Sequence, residues 1–276
     1  MASLESYDHA KKAGNAGDVW KHFILLAITE ALIKKRSSSP PSAPFVYGDT
    51  HAGKGRYCLP PKGDWQRGLG AIQPHLQEHP EWPYFRLLSR FEENVYPGSW
   101  HLVGSYLHER NVPFELHLAE NNQTVKKNLK GIAWSLPFSS HIRSDYMNGF
   151  ELPSCLPRAD LVLVDPPFGS KSNDWTEIKT MLPELKRVAS AFLIWYPITN
   201  KRFGLDEFIS EVSLPTYELH WFPMKPGGNL KGCGMIAGGQ AGTILKQIRP
   251  QLHTLARLLP WRGAGFDHAQ LHLVQP

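Results

Sequence analysis

Short apolar runs alternate with longer amphipathic stretches along most of this chain. Runs rich in branched and aromatic residues, bounded by acidic residues, glycine or proline, are typical of buried parallel strands. They occupy residues 45–49, 114–120, 159–164 and 191–197, and a further strand, which ends at Asp145, is predicted at residues 141–144. Apolar residues spaced three or four apart predict helices at residues 19–35, 174–189, 205–212 and 240–259. The alternation indicates an α/β fold with a mostly parallel sheet.

The remaining segments complete the predicted sheet and its helices. Residues 217–223 and 234–238 are predicted to form two closing strands, which brings the sheet to seven strands. The last helix contains Pro250 near its middle, so it is predicted as one helix or as two. Asn15 or Asp18 is expected to cap the first helix, because both side chains accept hydrogen bonds from free backbone N–H groups.

Residues 60–95 do not follow the alternation of strands and helices. They contain several aromatic residues, Trp82 and Phe85 among them, and one helix predicted over residues 83–93. We therefore expect a small helical insertion within a single domain that spans residues 1–276. Its aromatic side chains are expected to pack together in a small core in preference to stacking on bases.

The candidate chemistry lies where the predicted strands end. The strand at residues 159–164 is followed by Asp165-Pro166-Pro167-Phe168, and the prolines stop the strand because they cannot donate backbone hydrogen bonds. A carboxylate, a free carbonyl and an aromatic ring are therefore presented together at the edge where open α/β sheets bind ligands. These groups suit an exocyclic amine on a flat heterocycle, such as N6 of adenine. Alone, the same four residues are often a simple turn.

Three earlier strand ends predict a nucleotide-like ligand. The first strand ends at Asp49 and leads into a loop with Gly53 and Gly55, where the backbone can approach a ligand closely. Glu120 ends the second strand and can accept both hydroxyls of a ribose, and Asp145 ends the third and can accept from an adenine amine. Each acid alone could equally cap the helix that follows. Their order along the chain predicts the binding of S-adenosylmethionine (SAM).

Composition and charge narrow the class of protein. The chain has 276 residues and a formal net charge of +5, which favours a polyanionic partner. Its cysteines, Cys58, Cys155 and Cys233, lie far apart, so neither a disulfide framework nor a zinc site is expected and a reducing cytoplasm is the expected compartment. The histidines show no metal-ligand spacing, and therefore no metal is expected. We expect neither a signal peptide nor a membrane span.

Several motifs occur in a fixed order along the chain. They are Ala13-Gly14-Asn15-x-x-Asp18-Val19-x-Lys21-His22, Asp49-Thr50-His51-Ala52-Gly53-x-Gly55-Arg56-Tyr57, Tyr96-Pro97-Gly98-Ser99, Glu120, Asp165-Pro166-Pro167-Phe168, Trp195-Tyr196-Pro197 and Gly234-Met235. In this set the chain resembles the bacterial 23S ribosomal RNA adenine-N6 methyltransferase J family over nearly its whole length. The resemblance implies a Rossmann-like, SAM-dependent methyltransferase fold with a seven-stranded, mostly parallel sheet and a small helical insertion.

The resemblance also implies which residues form the site. Asp165 would be the catalytic acid, acting with Pro166 and Phe168 on the adenine, and Tyr7 would lie against the RNA. The residues expected to contact the methyl donor, SAM, are Lys21, His22, His51, Ser99, Glu120 and Asp145. The implied partner is 23S rRNA, either naked or in a partly assembled large subunit, and we expect a monomer.

Other functions stay open from the sequence alone. A DNA adenine-N6 methyltransferase would use the same four residues around Asp165. Relatives have also been linked to the use of external DNA as a nutrient. A nucleic-acid-binding protein without catalysis is disfavoured by the intact Asp165, Glu120 and glycine loop. Methyltransferases that act on small molecules or on protein glutamine usually have Asn in the place of Asp165.

Overall fold

The computed structural model describes residues 12–36, 43–168, 174–199, 204–221, 230–263 and 266–276. The strands in these ranges are β1 (Phe45–Asp49), β2 (Arg56–Cys58), β3 (Val95–Pro97), β4 (Phe114–Ala119), β5 (Ile142–Asp145), β6 (Ala159–Val164), β7 (Ala189–Ile198), β8 (Thr216–His220), β9 (Gly232–Gly239), β10 (Pro260–Gly263), β11 (Phe266–His268) and β12 (Gln270–Gln275). The α-helices are α1 (Ala16–Arg36), α2 (Leu69–Ile72), α3 (Pro83–Leu88), α4 (Ser99–Glu109), α5 (Gln123–Trp134), α6 (Leu152–Cys155), α7 (Asp174–Val188), α8 (Leu205–Val212), α9 (Gln240–Gln247) and α10 (Arg249–Leu258).

One eight-stranded sheet forms the centre of the molecule. Its strand order is β12-β8-β9-β7-β6-β1-β4-β5. The strands from β7 to β5 pair in parallel, whereas β9, β8 and β12 join by antiparallel pairing. Asp49, the last residue of β1, lies in register with Leu118 of β4 and Leu163 of β6. The carboxyl ends of the parallel strands therefore meet at one edge.

The eighth strand corrects the predicted count of seven. β12 pairs antiparallel with β8 at the edge of the sheet. Its sequence, Gln-Leu-His-Leu-Val-Gln, mixes polar and apolar residues, and its side chains are half-buried or exposed. An edge strand of this kind lacks the continuous apolar run by which buried strands are recognised.

The cap and the prolines noted in the sequence have identifiable places in the helices. Asn15 caps α1, since its Oδ1 accepts from the backbone N–H groups of Gly17 and Asp18 at 2.7 and 3.0 Å. At the other end two helices form, α9 and α10, and Pro250 lies in the first turn of α10, where its missing N–H costs no helical hydrogen bond. Pro183 is accommodated within α7, which runs unbroken to Val188.

A helical insertion lies between β2 and β3, which pair antiparallel with each other. The predicted helix at residues 83–93 is shorter in the structure and ends at Leu88. The aromatic side chains pack inward: Trp82 is 4% exposed and Phe85 is fully buried. The ring of Trp82 meets that of Phe23 on α1 edge-on at 5.0 Å between centroids. The aromatic side chains of the insertion are thus packed, and they belong to a core shared with α1 in addition to contacting one another.

Two apolar layers cover the two faces of the sheet. Alternate residues of each strand point to opposite faces, so Tyr47 packs with α1 and α4 while its neighbour Val46 packs with α7. Among the described residues no helix is both long and apolar enough to cross a membrane.

Candidate active site

Four acidic residues lie at one edge of the sheet, at the carboxyl ends of neighbouring parallel strands. Asp49 ends β1, Glu120 follows β4, Asp145 ends β5 and Asp165 follows β6. The backbone N–H of Glu120 donates to the carbonyl of Asp145 at 3.2 Å, which aligns two of these ends. Because all carboxyl ends of a parallel sheet share one edge, acids that are distant in the chain become neighbours.

Lys21 brings a buried positive charge from α1 to Asp165. Its Nζ lies 2.6 Å from Asp165 Oδ2 and 3.0 Å from Asp18 Oδ1. The side chains of Lys21 and Asp18 are each 7% exposed, and that of Asp165 is 17% exposed. Asp18 Oδ2 also accepts from the backbone N–H of Gly14 at 3.0 Å. One ammonium group therefore binds two carboxylates, and Asp165 is the more solvent-exposed of the two.

The two carboxylates determine the charge of Lys21. Burial by itself would lower the pKa of this amine, but attraction by Asp165 and Asp18 and the hydrogen bonds to both outweigh burial and raise the pKa above its usual value. Lys21 is therefore an ammonium ion at physiological pH. A lysine flanked by two acids leaves the cluster electronegative, which favours a positively charged ligand beside it.

Asp49 forms a second buried cluster, at the end of β1. Its Oδ2 accepts from Ser99 Oγ at 2.5 Å and from the Tyr47 hydroxyl at 3.0 Å, and its Oδ1 accepts from the backbone N–H of His51 at 3.3 Å. Burial raises the pKa of the Asp49 carboxyl to about 6, and the hydrogen bonds from Ser99 and Tyr47 oppose this rise. Ser99, the first residue of α4, is therefore bound to the end of β1.

The glycine loop is joined to Glu120. The backbone N–H of Gly53 donates to Glu120 Oε2 at 3.1 Å, and that of Asn122 donates to Oε1 at 2.8 Å. Gly53 and Gly55 have φ angles of +61° and +80°, a region that side chains disfavour. A Cβ at Gly55 would lie 2.0 Å from the Trp100 ring. Glycine at positions 53 and 55 therefore permits both the backbone conformation of this loop and its close contact with Glu120.

A cluster of aromatic rings lies beside the pair formed by Lys21 and Asp165. Phe168 lies 5.2 Å from Trp175 and 6.3 Å from Trp195, between ring centroids. Phe168 has a φ angle of +42°, which is uncommon for a residue with a side chain. The Lys21 ammonium lies 5.3 Å from the centroid of Trp195. The ammonium that binds Asp165 therefore also lies beside the ring cluster that contains Phe168.

Each of the two predicted histidines lies within hydrogen-bond distance of a hydroxyl group. His22 is 2% exposed, and its Nδ1 lies 2.8 Å from the Tyr96 hydroxyl, which in turn lies 2.9 Å from that of Tyr84. His51 contacts Thr50 Oγ1 at 2.7 Å. Burial lowers the pKa of His51 to about 4, so its imidazole is neutral at physiological pH.

Two of the predicted site residues remain, Asp145 and Tyr7. Asp145 is exposed at the end of β5 and lies beside Glu120 through the backbone. Tyr7 lies outside the described residues. Among the described residues no group of three or more acidic, histidine or cysteine side chains could hold a metal ion.

The model of the family described as "Ribosomal RNA large subunit methyltransferase D, RlmJ" matches residues 42–265. The chain belongs to this family. The resemblance inferred from its motifs is thereby confirmed, and the protein is an enzyme of the ribosomal RNA methyltransferase class.

Two similar relatives span almost the whole chain. Ribosomal RNA large subunit methyltransferase J of Escherichia coli K12 is 28% identical over 98% of this chain and 99% of its own length. The protein of the same description from Haemophilus influenzae is 28% identical over 94% of this chain and 96% of its own length. A crystal structure of a protein from Legionella pneumophila has a TM-score of 0.76 and 22% identity, and covers 95% of this chain and 98% of the other. This likeness confirms the α/β fold.

Three further residues of this RlmJ family member's site appear in the sequence motifs without a role of their own among the predicted site residues. The spacing of three between Asp18 and Lys21 places both on one face of α1, a signal that could have paired them. Asp49 ends the first predicted strand, but its complete burial has no sequence signal. Trp195 lies in a predicted strand, and only the structure places it next to the Lys21 ammonium.

Proposed function

We propose that this protein transfers a methyl group from SAM to N6 of an adenine in 23S rRNA. The observation that carries the proposal is Asp165 at the end of β6, a partly exposed carboxylate that is followed directly by Pro166 and soon after by Phe168, whose ring packs beside Trp175 and Trp195. A flat base with an exocyclic amine complements this set. Family membership supplies the substrate class, since the relatives are described as methyltransferases of large-subunit ribosomal RNA.

The residues at the neighbouring strand ends fit the methyl donor. Glu120 is half-buried, and each of its carboxylate oxygens accepts from one backbone N–H and retains a lone pair that can accept from a ribose hydroxyl. Asp145 ends the neighbouring strand β5 and is exposed, so its carboxylate is available to accept from the adenine amine of the methyl donor. SAM carries positive charge and, when bound, supplies the electrophilic methyl group. The electronegative cluster of Asp18, Lys21 and Asp165 suits such a ligand.

Asp165 and Pro166 act on the adenine amine. The N6 lone pair is delocalised into the ring, which makes the free amine a poor nucleophile. One N–H of the amine donates to the Asp165 carboxylate and the other to the Pro166 carbonyl, and this pair of acceptors favours a pyramidal nitrogen whose lone pair is free to attack. N6 would gain the methyl group as its bond to the donor sulfur breaks, the sulfur would keep that electron pair as a neutral thioether, and one proton of the amine would pass to water. The loss of this proton is easy, since the methylated nitrogen is cationic before the proton leaves.

Lys21 and Phe168 position these groups. A carboxylate has two oxygens, so Lys21 can hold Asp165 through Oδ2 while Oδ1 accepts from the substrate. Phe168 stacks on a base taken out of its helix or loop, a contact worth about 1–3 kcal/mol. Holding both reactants in register contributes most, up to roughly 7–11 kcal/mol in favourable cases.

The test is a pair of aspartate substitutions on the same strand. Asp165→Ala is expected to lower turnover by at least about 10²–10³-fold, the usual cost of one preorganised polar group in a dry site. The fold and SAM binding should persist because Lys21 keeps Asp18 as a partner. Asp160→Asn is the control: Asp160 lies at the opposite end of β6, where it binds Arg36. Turnover and SAM affinity are measured separately. Near-normal turnover of Asp165→Ala would refute the mechanism.

The substrate is tested with labelled SAM. Unmodified 23S rRNA, single-stranded DNA and duplex DNA are offered in parallel. Label recovered as N6-methyladenine at one position of the RNA is the expected result. Label in DNA alone would reassign the protein as a DNA methyltransferase.

A further inference from the structure

A groove runs from the glycine loop to α5. One wall is formed by Lys54, Arg56 and Cys58, and the other by Lys127 and Gly131 of α5. Its volume is about 570 Å³, enough for a nucleotide unit. Lys54 lies between the two glycines of the loop that we assign to the methyl donor, so the groove begins at the proposed active site.

The charge of this groove is not compensated. Helix α5 contains Lys126, Lys127 and Lys130 and no acidic residue. Among the described residues no carboxylate forms an ion pair with Lys54, Lys127 or Lys130. Arg56 is partly neutralised, by Glu92 at 3.2 Å.

Some basic residues on other helices are paired, in contrast. Lys34 of α1 lies 3.3 Å from Glu30, and Lys179 of α7 lies 2.6 Å from Glu211. Since paired charges cancel at a distance and unpaired ones do not, the three lysines of α5 give this helix a positive potential.

Gly131 adds no side chain to the wall of the groove that α5 forms. A Cβ added there would meet no atom within 4 Å, whereas at Gly149 it would lie 1.9 Å from the carbonyl of Thr50. Packing within the chain therefore explains Gly149 and does not explain Gly131. A helix with glycine at an interior position is less stable than the same helix with alanine there. A glycine that faces open space in a basic groove is suited to the close approach of another molecule's backbone.

Exposed aromatic rings flank the same helix. Trp134 is 84% exposed and Tyr146 is 54% exposed, and they are the aromatic members of the exposed large apolar residues in the described part of the chain. Trp134 lies two turns beyond Lys127, on the same side of α5. The Lys126 ammonium lies 5.5 Å from the centroid of Tyr146. Lysines interleaved with exposed rings are typical of surfaces that bind RNA phosphates and unpaired bases.

We propose that this surface, formed by Lys54, Lys127, Lys130, Gly131 and Trp134, binds the phosphodiester backbone of the RNA that flanks the target adenine. The proposal rests on the proposed function, since it assigns a surface to the same substrate. The lysines contact phosphates, Gly131 lets the strand lie close to α5, and Trp134 stacks on an unpaired base. The groove then leads the strand from the sheet edge at α5 to the donor loop.

The first test removes two lysines of α5. Lys127→Gln/Lys130→Gln is expected to weaken binding of a 23S rRNA transcript about 10- to 100-fold at 0.1 M salt. The slope of log affinity against log salt concentration should fall by about 1 per lost contact. The matched control is Arg249→Gln/Arg257→Gln on α10, which packs against β12, at the opposite edge of the sheet from β5 and α5. It removes the same charge and should leave affinity and slope unchanged.

The second test uses the open space at Gly131. Gly131→Glu places a carboxylate in the groove without a steric clash and with a better helix former, so the melting temperature should be kept or raised. RNA affinity should fall at least about tenfold relative to Gly131→Gln, which has nearly the same shape and no charge. A loss of affinity with retained stability cannot come from misfolding.

The natural cysteines supply a footprint. Cys58 in the groove and Cys155 on α6 are both exposed, and Cys233 is buried. Bound RNA is expected to slow the alkylation of Cys58 severalfold and to leave that of Cys155 unchanged. Equal rates for Cys58 with and without RNA, or a loss of affinity in the α10 control alone, would overturn the proposal. Methylation of RNA is measured on the same samples: its absence in the wild-type protein, with Cys58 protected, would refute the proposed function and keep the binding surface.

Discussion

At the scale of single residues, the site depends on charges that share partners. Lys21 holds both Asp18 and Asp165, so each acid retains a cation in the absence of substrate. If Lys21 had only one acidic partner, a substrate that bound this acid would leave the buried ammonium without a counter-charge, which is strongly destabilising. The third carboxylate, Asp49, is bound by the neutral donors Ser99 and Tyr47, and it therefore responds to pH.

The titration of Asp49 predicts a pH-dependent stability. Burial raises the pKa of this carboxyl from 3.8 to about 6. The folded protein then holds the proton more tightly than the unfolded chain, so Asp49 lowers stability progressively as the pH rises from about 4 to about 6. The loss is about 3 kcal/mol. Asp49→Asn has no proton to lose, so its unfolding free energy relative to the wild type should rise by about 2 kcal/mol between pH 4 and pH 7, the rest of the loss having occurred below pH 4.

Urea unfolding at both pH values measures the effect. The pH 4 experiment is the internal control, because most molecules of both proteins carry a neutral group there and any fixed cost of the amide appears at both pH values. A difference that stayed constant from pH 4 to pH 7 would contradict the burial of an ionisable Asp49.

At the scale of elements, α1 links the helical insertion to the sheet edge. Its aromatic residue Phe23 packs on Trp82 of the insertion, and two residues earlier in the chain Lys21 meets Asp165. The start of this helix is fixed by Asn15, which binds two backbone N–H groups. The cap of α1 therefore bears on the position of the Lys21 ammonium as well as on stability.

Substitution of the cap tests this link. Asn15→Ala is expected to lower the unfolding free energy by about 1 kcal/mol. It should also lower kcat, by up to about 10²-fold, since a shift of about 1 Å at a reacting group has effects of that size. Asn122→Ala removes the equivalent cap of α5, which binds Thr124 and Val125, and should cost similar stability without the fall in kcat. Equal losses of kcat in both variants would show a general effect of destabilisation.

At the scale of the whole molecule, the antiparallel half of the sheet supports the parallel half that carries the site. β9 pairs along its length with β7, β8 extends the sheet, and β12 closes its edge. Buried Glu218 in β8 accepts from the hydroxyl of Tyr196 in β7 at 2.9 Å, across β9. Without β12, this region would present an unpaired strand to solvent.

Removal of the edge strand has a predictable cost. A chain without residues 270–276 should unfold at lower urea concentration and associate through the free edge of β8, detected by light scattering. Leu273→Lys is the control: it keeps the backbone pairing and changes a side chain that is 43% exposed, so stability should change by less than about 0.5 kcal/mol. A truncated chain as stable and monodisperse as the full one would show that β12 is dispensable.

Much of the fold could be predicted because its signals are local. The parallel strands β1, β4, β5, β6 and β7 were predicted within a few residues, since branched apolar runs end at acids or prolines. Edge strand β12 was missed because half of its residues are polar. The helix at residues 83–93 was predicted too long, since its periodicity continues beyond Leu88 where the chain turns toward β3.

The sequence by itself determined the order of strands and helices and the acids at the strand ends, because each follows from neighbouring residues. Tertiary structure alone decided which distant groups meet. Lys21 pairs with Asp165 across 144 positions of the chain, and the groove joins Lys54 to Gly131. Such contacts depend on the order of strands in the sheet and on the removal of water around the side chains. The same burial makes Asp49 sensitive to pH.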